Sequence, residues 1–158
     1  MSRAPVRQTA TPPEGTVLFM VGMRINKLRA IHRWLPVTFA MPRMLIEQMK
    51  HREIGMIGTP RTFVSGRVVM VVQYWESAEK LEAYAKDALH SHLPAWRDFN
   101  AKARKSDSVG VFHETYIIGT HNHENISVQL PNPILLGAAV GVSPVNAARD
   151  TARQRLKD

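Results

Sequence analysis

Two histidines stand where they could share one pocket. Trp96 and Phe99 follow His92 at i+4 and i+7. If this stretch is helical, the three side chains lie on one face. His113 lies within the apolar run 109–118, which is typical of a buried strand. Since consecutive segments usually pack side by side, His92 and His113 could face one apolar pocket between helix and sheet.

Imidazole chemistry suggests what such a pocket could do. Neutral imidazole is a common axial ligand of haem iron, and a second histidine across the pocket can transfer protons. The spacing alone favours two hydrogen-bonded histidines in the core. The chain has no cysteine, which excludes disulfides, thiolate nucleophiles and Cys-type zinc sites.

The segments that must position these histidines alternate in character. Apolar, β-branched runs predict strands at 16–23, 53–63, 67–75 and 109–118. Helical spacing predicts helices at 27–50, from Ser77 onward, and at 93–104. Pro36 and Pro42 lie inside the first, so we expect a kinked helix or two short ones. The order β-α-β-β-α-β predicts an α+β, ferredoxin-like domain with an antiparallel sheet.

All four strands look apolar on both faces, and helices can cover only one of them. The most economical cover for the other face is the sheet of a second copy. We therefore expect a homodimer that forms a dimeric α/β barrel.

Composition shifts divide the chain. We expect a flexible tail at 1–14, a core domain at 15–120, a C-terminal arm at 121–145 that packs on the core or the partner, and a polar tail at 146–158.

The totals restrict the class of protein. The 158 residues fit one domain, and 44% of them are hydrophobic. The formal charge of +8 is scattered and partly confined to the tails, so nucleic-acid binding is not favoured. No apolar run approaches the roughly 18 residues of a membrane span, and the start does not resemble a secretory signal. We expect a cytoplasmic protein with a small-molecule substrate and no membrane partner.

The segment HSHLPAWRDF at 90–99, with FHET at 112–115, resembles the haem-binding region of aldoxime dehydratases. These enzymes dehydrate aldoximes to nitriles on a ferrous haem in a ferredoxin-like barrel. The resemblance implies haem b, with His92 as the axial iron ligand and His113 as the catalytic acid/base. Trp96 and Phe99 would line the cofactor site, and Arg43 is a candidate partner for a haem propionate. Aldoxime dehydratases carry two such domains in one chain, so a dimer would have to supply the second.

Over about residues 16–142 the chain resembles a small, single-domain monooxygenase-like family. The motifs are QYWES at 73–77, LEAYA at 81–85, HLPAWRDFN at 92–100 and HETY at 113–116. That family's name rests on likeness to cofactor-free antibiotic-biosynthesis monooxygenases. Three functions remain open. The chain could be a haem-dependent lyase or oxygenase acting on N–O or O–O bonds. It could be a cofactor-free monooxygenase with His113 or His92 as general base, or a non-catalytic sensor or ligand carrier.

Overall fold

A computed structural model describes residues 6–87, 107–119 and 121–156. The predicted helix at 93–104 lies outside these residues. The strands are β1 (Arg7–Thr9), β2 (Val17–Ile25), β3 (Met56–Ser65), β4 (Val68–Trp75), β5 (Val109–Ile117), β6 (Ser127–Val128) and β7 (Ser143–Pro144). The helices are α1 (Ile31–Lys50), α2 (Ala78–Lys86), α3 (Leu136–Val140) and α4 (Ala152–Arg155), with 3-10 turns at Arg52–Ile54 and Ala147–Arg149.

The main sheet has the order β3-β4-β2-β5, and all its pairs are antiparallel. This is the ferredoxin-like arrangement, with β2 in the interior between β4 and β5. The predicted α+β class and antiparallel sheet are confirmed. The barrel formed by two copies stays a prediction.

Residues alternate between the two faces of this sheet. The helix-side face carries Met23 and Val71, both buried. It meets α1, where the Thr38 hydroxyl lies 3.8 Å from the sulfur of Met23 and the Gln48 side chain bonds to Gln73. We call the opposite face, which includes Met20, the outer face.

Helix α1 runs without a break through Pro36 and Pro42. Each proline removes one backbone hydrogen bond to the carbonyl four residues earlier. The contacts of Thr38 and Gln48 with the sheet hold both halves of the helix in place. Of the two expected alternatives, the chain therefore forms one helix and not two short ones. Helix α2 begins as predicted, because the Ser77 side chain accepts a hydrogen bond from the Lys80 amide at 3.3 Å.

The core cluster lies where α2 meets one end of the sheet. Its buried members are Val17, Met56, Trp75, Leu81 and Tyr84. The rings of Trp75 and Tyr84 are 5.5 Å apart between centroids. Burial, reinforced by the negative charge of Glu47 and opposed by a hydrogen bond with Gln48, raises the pKa of Tyr84 to about 12.

The two ends of the chain meet in a small second sheet, in which β1 lies between β6 and β7. The Asn125 side chain secures it. Its oxygen accepts from the Ala10 amide at 2.7 Å, and its nitrogen donates to the Ala10 carbonyl at 2.6 Å. The structure therefore differs from the tail expected at 1–14, since Arg7–Thr9 form a paired strand.

Helix α3 packs on the β3 edge of the main sheet. Gly58 has a φ of +70°, and a Cβ there would lie 2.7 Å from the Cα of Ala139. Only glycine combines this backbone conformation with so close an approach. Tyr74 lies on the outer face, where burial raises the pKa of its hydroxyl and the nearby backbone of Leu136 partly lowers it. The C-terminal arm, which contains α3, thus covers the end of the outer face at Tyr74.

Gly22 should tolerate no side chain. A Cβ at this position would lie 2.5 Å from Cζ of Phe112 and 2.7 Å from the Val69 carbonyl oxygen. We expect Gly22→Ala to lower the free energy of unfolding by about 1–3 kcal/mol, because the backbone oxygen cannot yield easily. Gly110→Ala is the matched control, since the nearest atom there is 3.7 Å away. Urea unfolding measures both, and equal losses would contradict this account.

Tyr84 should make stability depend on alkaline pH. Its pKa of about 12 in the folded chain exceeds the ordinary value of 10.0 in the unfolded chain. The folded state therefore holds the proton more tightly, and this contribution is complete below pH 10 and is lost as pH rises toward 12. We expect the free energy of unfolding to fall more steeply above pH 10 in the wild type than in Tyr84→Phe. Parallel pH profiles would show that Tyr84 ionises normally.

Candidate functional site

His113 lies on the helix-side face of the edge strand β5. It is paired with Val21 of β2, which is paired in turn with the buried Val71 of β4. Because directly paired residues of antiparallel strands point to the same face, the imidazole projects toward the side that carries the helices. Among the described residues its ring contacts that of Phe19, with the two centroids 5.9 Å apart and a tilt of 42°.

The described surroundings of His113 do not occupy its ring nitrogens. The side chain is exposed, and no hydrogen bond joins its imidazole to another described residue. On the same face Val111 and Ile117 are 37% and 60% exposed. The helix side of β5 therefore carries the His113 imidazole between the apolar Val111 and the hydroxyl-bearing Thr115, with the apolar Ile117 beyond it. Such an imidazole can accept, hold or donate a proton for a molecule bound against the strand.

The structure does not bring Arg43 to His113. Arg43 is exposed on α1, five residues before Gln48, which contacts the sheet. At 100° per residue the two side chains point about 140° apart around the helix axis. Arg43 therefore points largely away from the sheet. The other predicted site residues, His92, Trp96 and Phe99, lie outside the described residues.

Two features of this face escaped the sequence reasoning. One is Phe19, whose contact with His113 depends on the β2–β5 register. The other is a buried polar chain in which the Trp75 indole donates to Gln73 at 3.0 Å and Gln73 donates to Gln48 at 2.9 Å. In the sequence, the glutamine within the apolar run of β4 is the one sign of these buried hydrogen bonds. Buried amides that bond to each other fix the position of α1 on the sheet.

The described parts of the chain contain no group of three or more histidine, aspartate or glutamate side chains arranged to hold a metal ion. None of the helices described is long and apolar enough to cross a membrane.

Residues 16–136 match the model of the monooxygenase af470-like family. The chain belongs to this family. The match lies within the predicted range of resemblance to a monooxygenase-like family, at about 16–142, and confirms it. No curated protein matches the sequence.

Solved structures show the same fold at low sequence identity. An aldoxime dehydratase is similar over 96% of this chain and 41% of its own, with 18% identity and a TM-score of 0.57. A second aldoxime dehydratase, in complex with butyraldoxime, is similar over 73% of this chain and 34% of its own, with 16% identity and a TM-score of 0.56. The chain thus spans less than half the length of either enzyme.

A third structure, a cofactor-independent oxygenase from Streptomyces nogalater, aligns over 65% of this chain and 91% of its own, with 10% identity and a TM-score of 0.42.

Proposed function

We propose that the chain is a small-molecule enzyme that binds haem b against the helix-side face of β5. His92 would hold the haem iron, and His113 would act as acid/base toward a bound substrate. One observation carries the proposal: the imidazole of His113 is exposed, lacks a hydrogen-bonding partner among the described residues, and stands on a strand surface that also carries the apolar Val111 and Ile117.

The described side of this site fits a flat, apolar macrocycle. Val111 and the Phe19 ring flank His113, so the surface offers apolar contact around one nitrogen ligand or proton donor. Trp96 and Phe99 are proposed to line the other side with His92, as the resemblance of HSHLPAWRDF to aldoxime dehydratases implies. Arg43 is not part of the proposed site, because its side chain points largely away from the sheet.

The chemistry follows from the two histidines. A bound ferrous haem would supply the metal chemistry for cleavage of an N–O or O–O bond. His113 would hold a proton at its exposed ring nitrogen and transfer it to the departing oxygen. The apolar side chains around it would exclude water and so strengthen the interaction of the imidazole with the polar group of the substrate.

A second function uses the same histidine without haem. Membership of a monooxygenase-like family supports it. In this case His113 would remove a proton from an activated aromatic substrate held against Phe19 and Val111, and the resulting anion would react directly with oxygen. The two functions differ in the cofactor and share the site.

The proposed enzyme is a homodimer. The outer face of the sheet carries exposed apolar side chains, among them Phe63 (46%), Phe112 (37%) and Tyr116 (51%). Exposed apolar side chains on one face of a sheet are typical of an interface between subunits.

The visible spectrum of the protein, purified with haem supplied, tests the first function. We expect a Soret band that is lost in His92→Ala, because the iron loses its axial ligand. His90→Ala is the matched control, two residues away in the same segment, and should keep the band. His113→Ala should also keep the band but lose at least about 100-fold in turnover of an aliphatic aldoxime under reducing conditions, since only the proton transfer is removed.

A negative result in each measurement contradicts a different part of the proposal. If haem supply and reconstitution give no Soret band, haem binding is wrong. Oxygen uptake by the metal-free protein with a quinol substrate, lost in His113→Ala, would then support the second function. If His113→Ala changes neither activity, the assignment of His113 is contradicted.

A further inference from the structure

The outer face carries two opposite charges in one row across the sheet. Arg61 of β3 is paired with Val72 of β4, which is paired with Met20 of β2, which is paired with Glu114 of β5. Because directly paired residues of antiparallel strands point to the same face, all four side chains lie on one line across the outer face. The cation stands on one edge strand and the carboxylate on the other, with two apolar residues between them.

Both charges are available to a partner. Arg61 is exposed, and no ion pair joins it to another described residue. Glu114 is exposed, and its carboxylate accepts a hydrogen bond from the Tyr116 hydroxyl at 2.6 Å, which holds it in place on this face. The two edge strands are too far apart in the sheet for Arg61 and Glu114 of one chain to meet.

The neighbouring row on this face is apolar. It runs Phe63, Met70, Gly22, Phe112 from β3 to β5. The ring of Phe112 extends over Gly22, as the 2.5 Å distance from a Cβ placed there shows. Large side chains therefore stand at both edges, and the one residue without a side chain stands near the centre.

Two identical faces can stack in two ways, and these differ in which charges face each other. A two-fold axis parallel to the strands places β5 of one copy over β3 of the other at the same level. A two-fold axis across the strands places β5 over β5 and brings the two Glu114 carboxylates toward each other. Like charges face to face cost free energy, whereas opposite charges stabilise the contact and select its orientation.

We infer that two copies of the chain join their outer faces about a two-fold axis parallel to the strands, so that Glu114 of each copy pairs with the partner's Arg61. The same operation places Phe112 opposite the partner's Phe63 and Met70 opposite the partner's Gly22. Packed sheets are rotated by about 30°, and the long arginine side chain spans the offset that this produces at the edges. The inference rests on the proposed homodimer and not on haem.

Charge reversal tests the orientation. We expect Glu114→Arg and Arg61→Glu each to raise the dimer dissociation constant at least about tenfold, because each places two like-charged pairs in the interface. The double variant should return to within about threefold of the wild type, since it restores the pairs with their signs exchanged. Glu79→Arg on α2 and Arg33→Glu on α1 are matched controls away from this face. Sedimentation measures association, and circular dichroism confirms that each variant is folded.

Crosslinking gives an independent readout, because the chain has no cysteine. Stacked sheets lie about 10 Å apart, so we expect a bis-maleimide of about that length to join Arg61→Cys/Glu114→Cys chains into dimers. Neither single variant should crosslink.

The outcomes separate the two levels of the proposal. If the wild type stays monomeric, both the homodimer and this inference are overturned. The proposal of haem binding, which the Soret band tests, is not affected. Three results with a dimeric wild type would overturn the orientation only. The charge reversals could have no effect, the double variant could fail to restore association, or Glu114→Cys alone could crosslink.

Discussion

The pairing of β2 with β4 on one side and β5 on the other determines what every side chain of the sheet can do. This register sets His113 beside Val21 on the helix side and Glu114 beside Met20 on the outer side. A slip of one residue would exchange the two faces, since side chains alternate with a period of two. The proposed catalytic histidine and the proposed interface carboxylate are adjacent in sequence, and strand geometry alone separates them.

The helix side of the sheet is held differently at its two edges. Near β4 it is closed by the core cluster and by the Gln48–Gln73 hydrogen bond, which joins α1 to the sheet. Along β5 the described residues leave it exposed around His113. A closed half beside an accessible half suits a binding surface, because the described part of the sheet positions the imidazole without occupying its ring nitrogens.

The strands and the topology follow from the sequence because their signals are local. The β-branched run of β4 and the cap at Ser77 each predict their element from a few neighbouring residues. Helix α1 shows the limit, since its continuity through Pro36 and Pro42 depends on contacts with the sheet. The pairing of Arg7–Thr9 with the C-terminal segment could not be predicted, because residues more than 100 positions apart meet there.

For the site, the sequence predicts residue types and strand faces but not the contacts across strands. His113 was identified from its place in an apolar run, whereas Phe19 beside it and the charge row from Arg61 to Glu114 appear only once the register is known. The position of Arg43 near the prolines predicts a place in the site, whereas helix geometry points its side chain largely away from the sheet.

Nuclear magnetic resonance of selectively labelled histidine tests the central claim most directly, because it observes the His113 ring itself. On addition of ferric haem, the account predicts that the His113 signals shift and broaden strongly, while those of His51, which is bound to Glu53 at 2.8 Å on an exposed turn, stay in place. Haem that binds and leaves the His113 signals unchanged would contradict it.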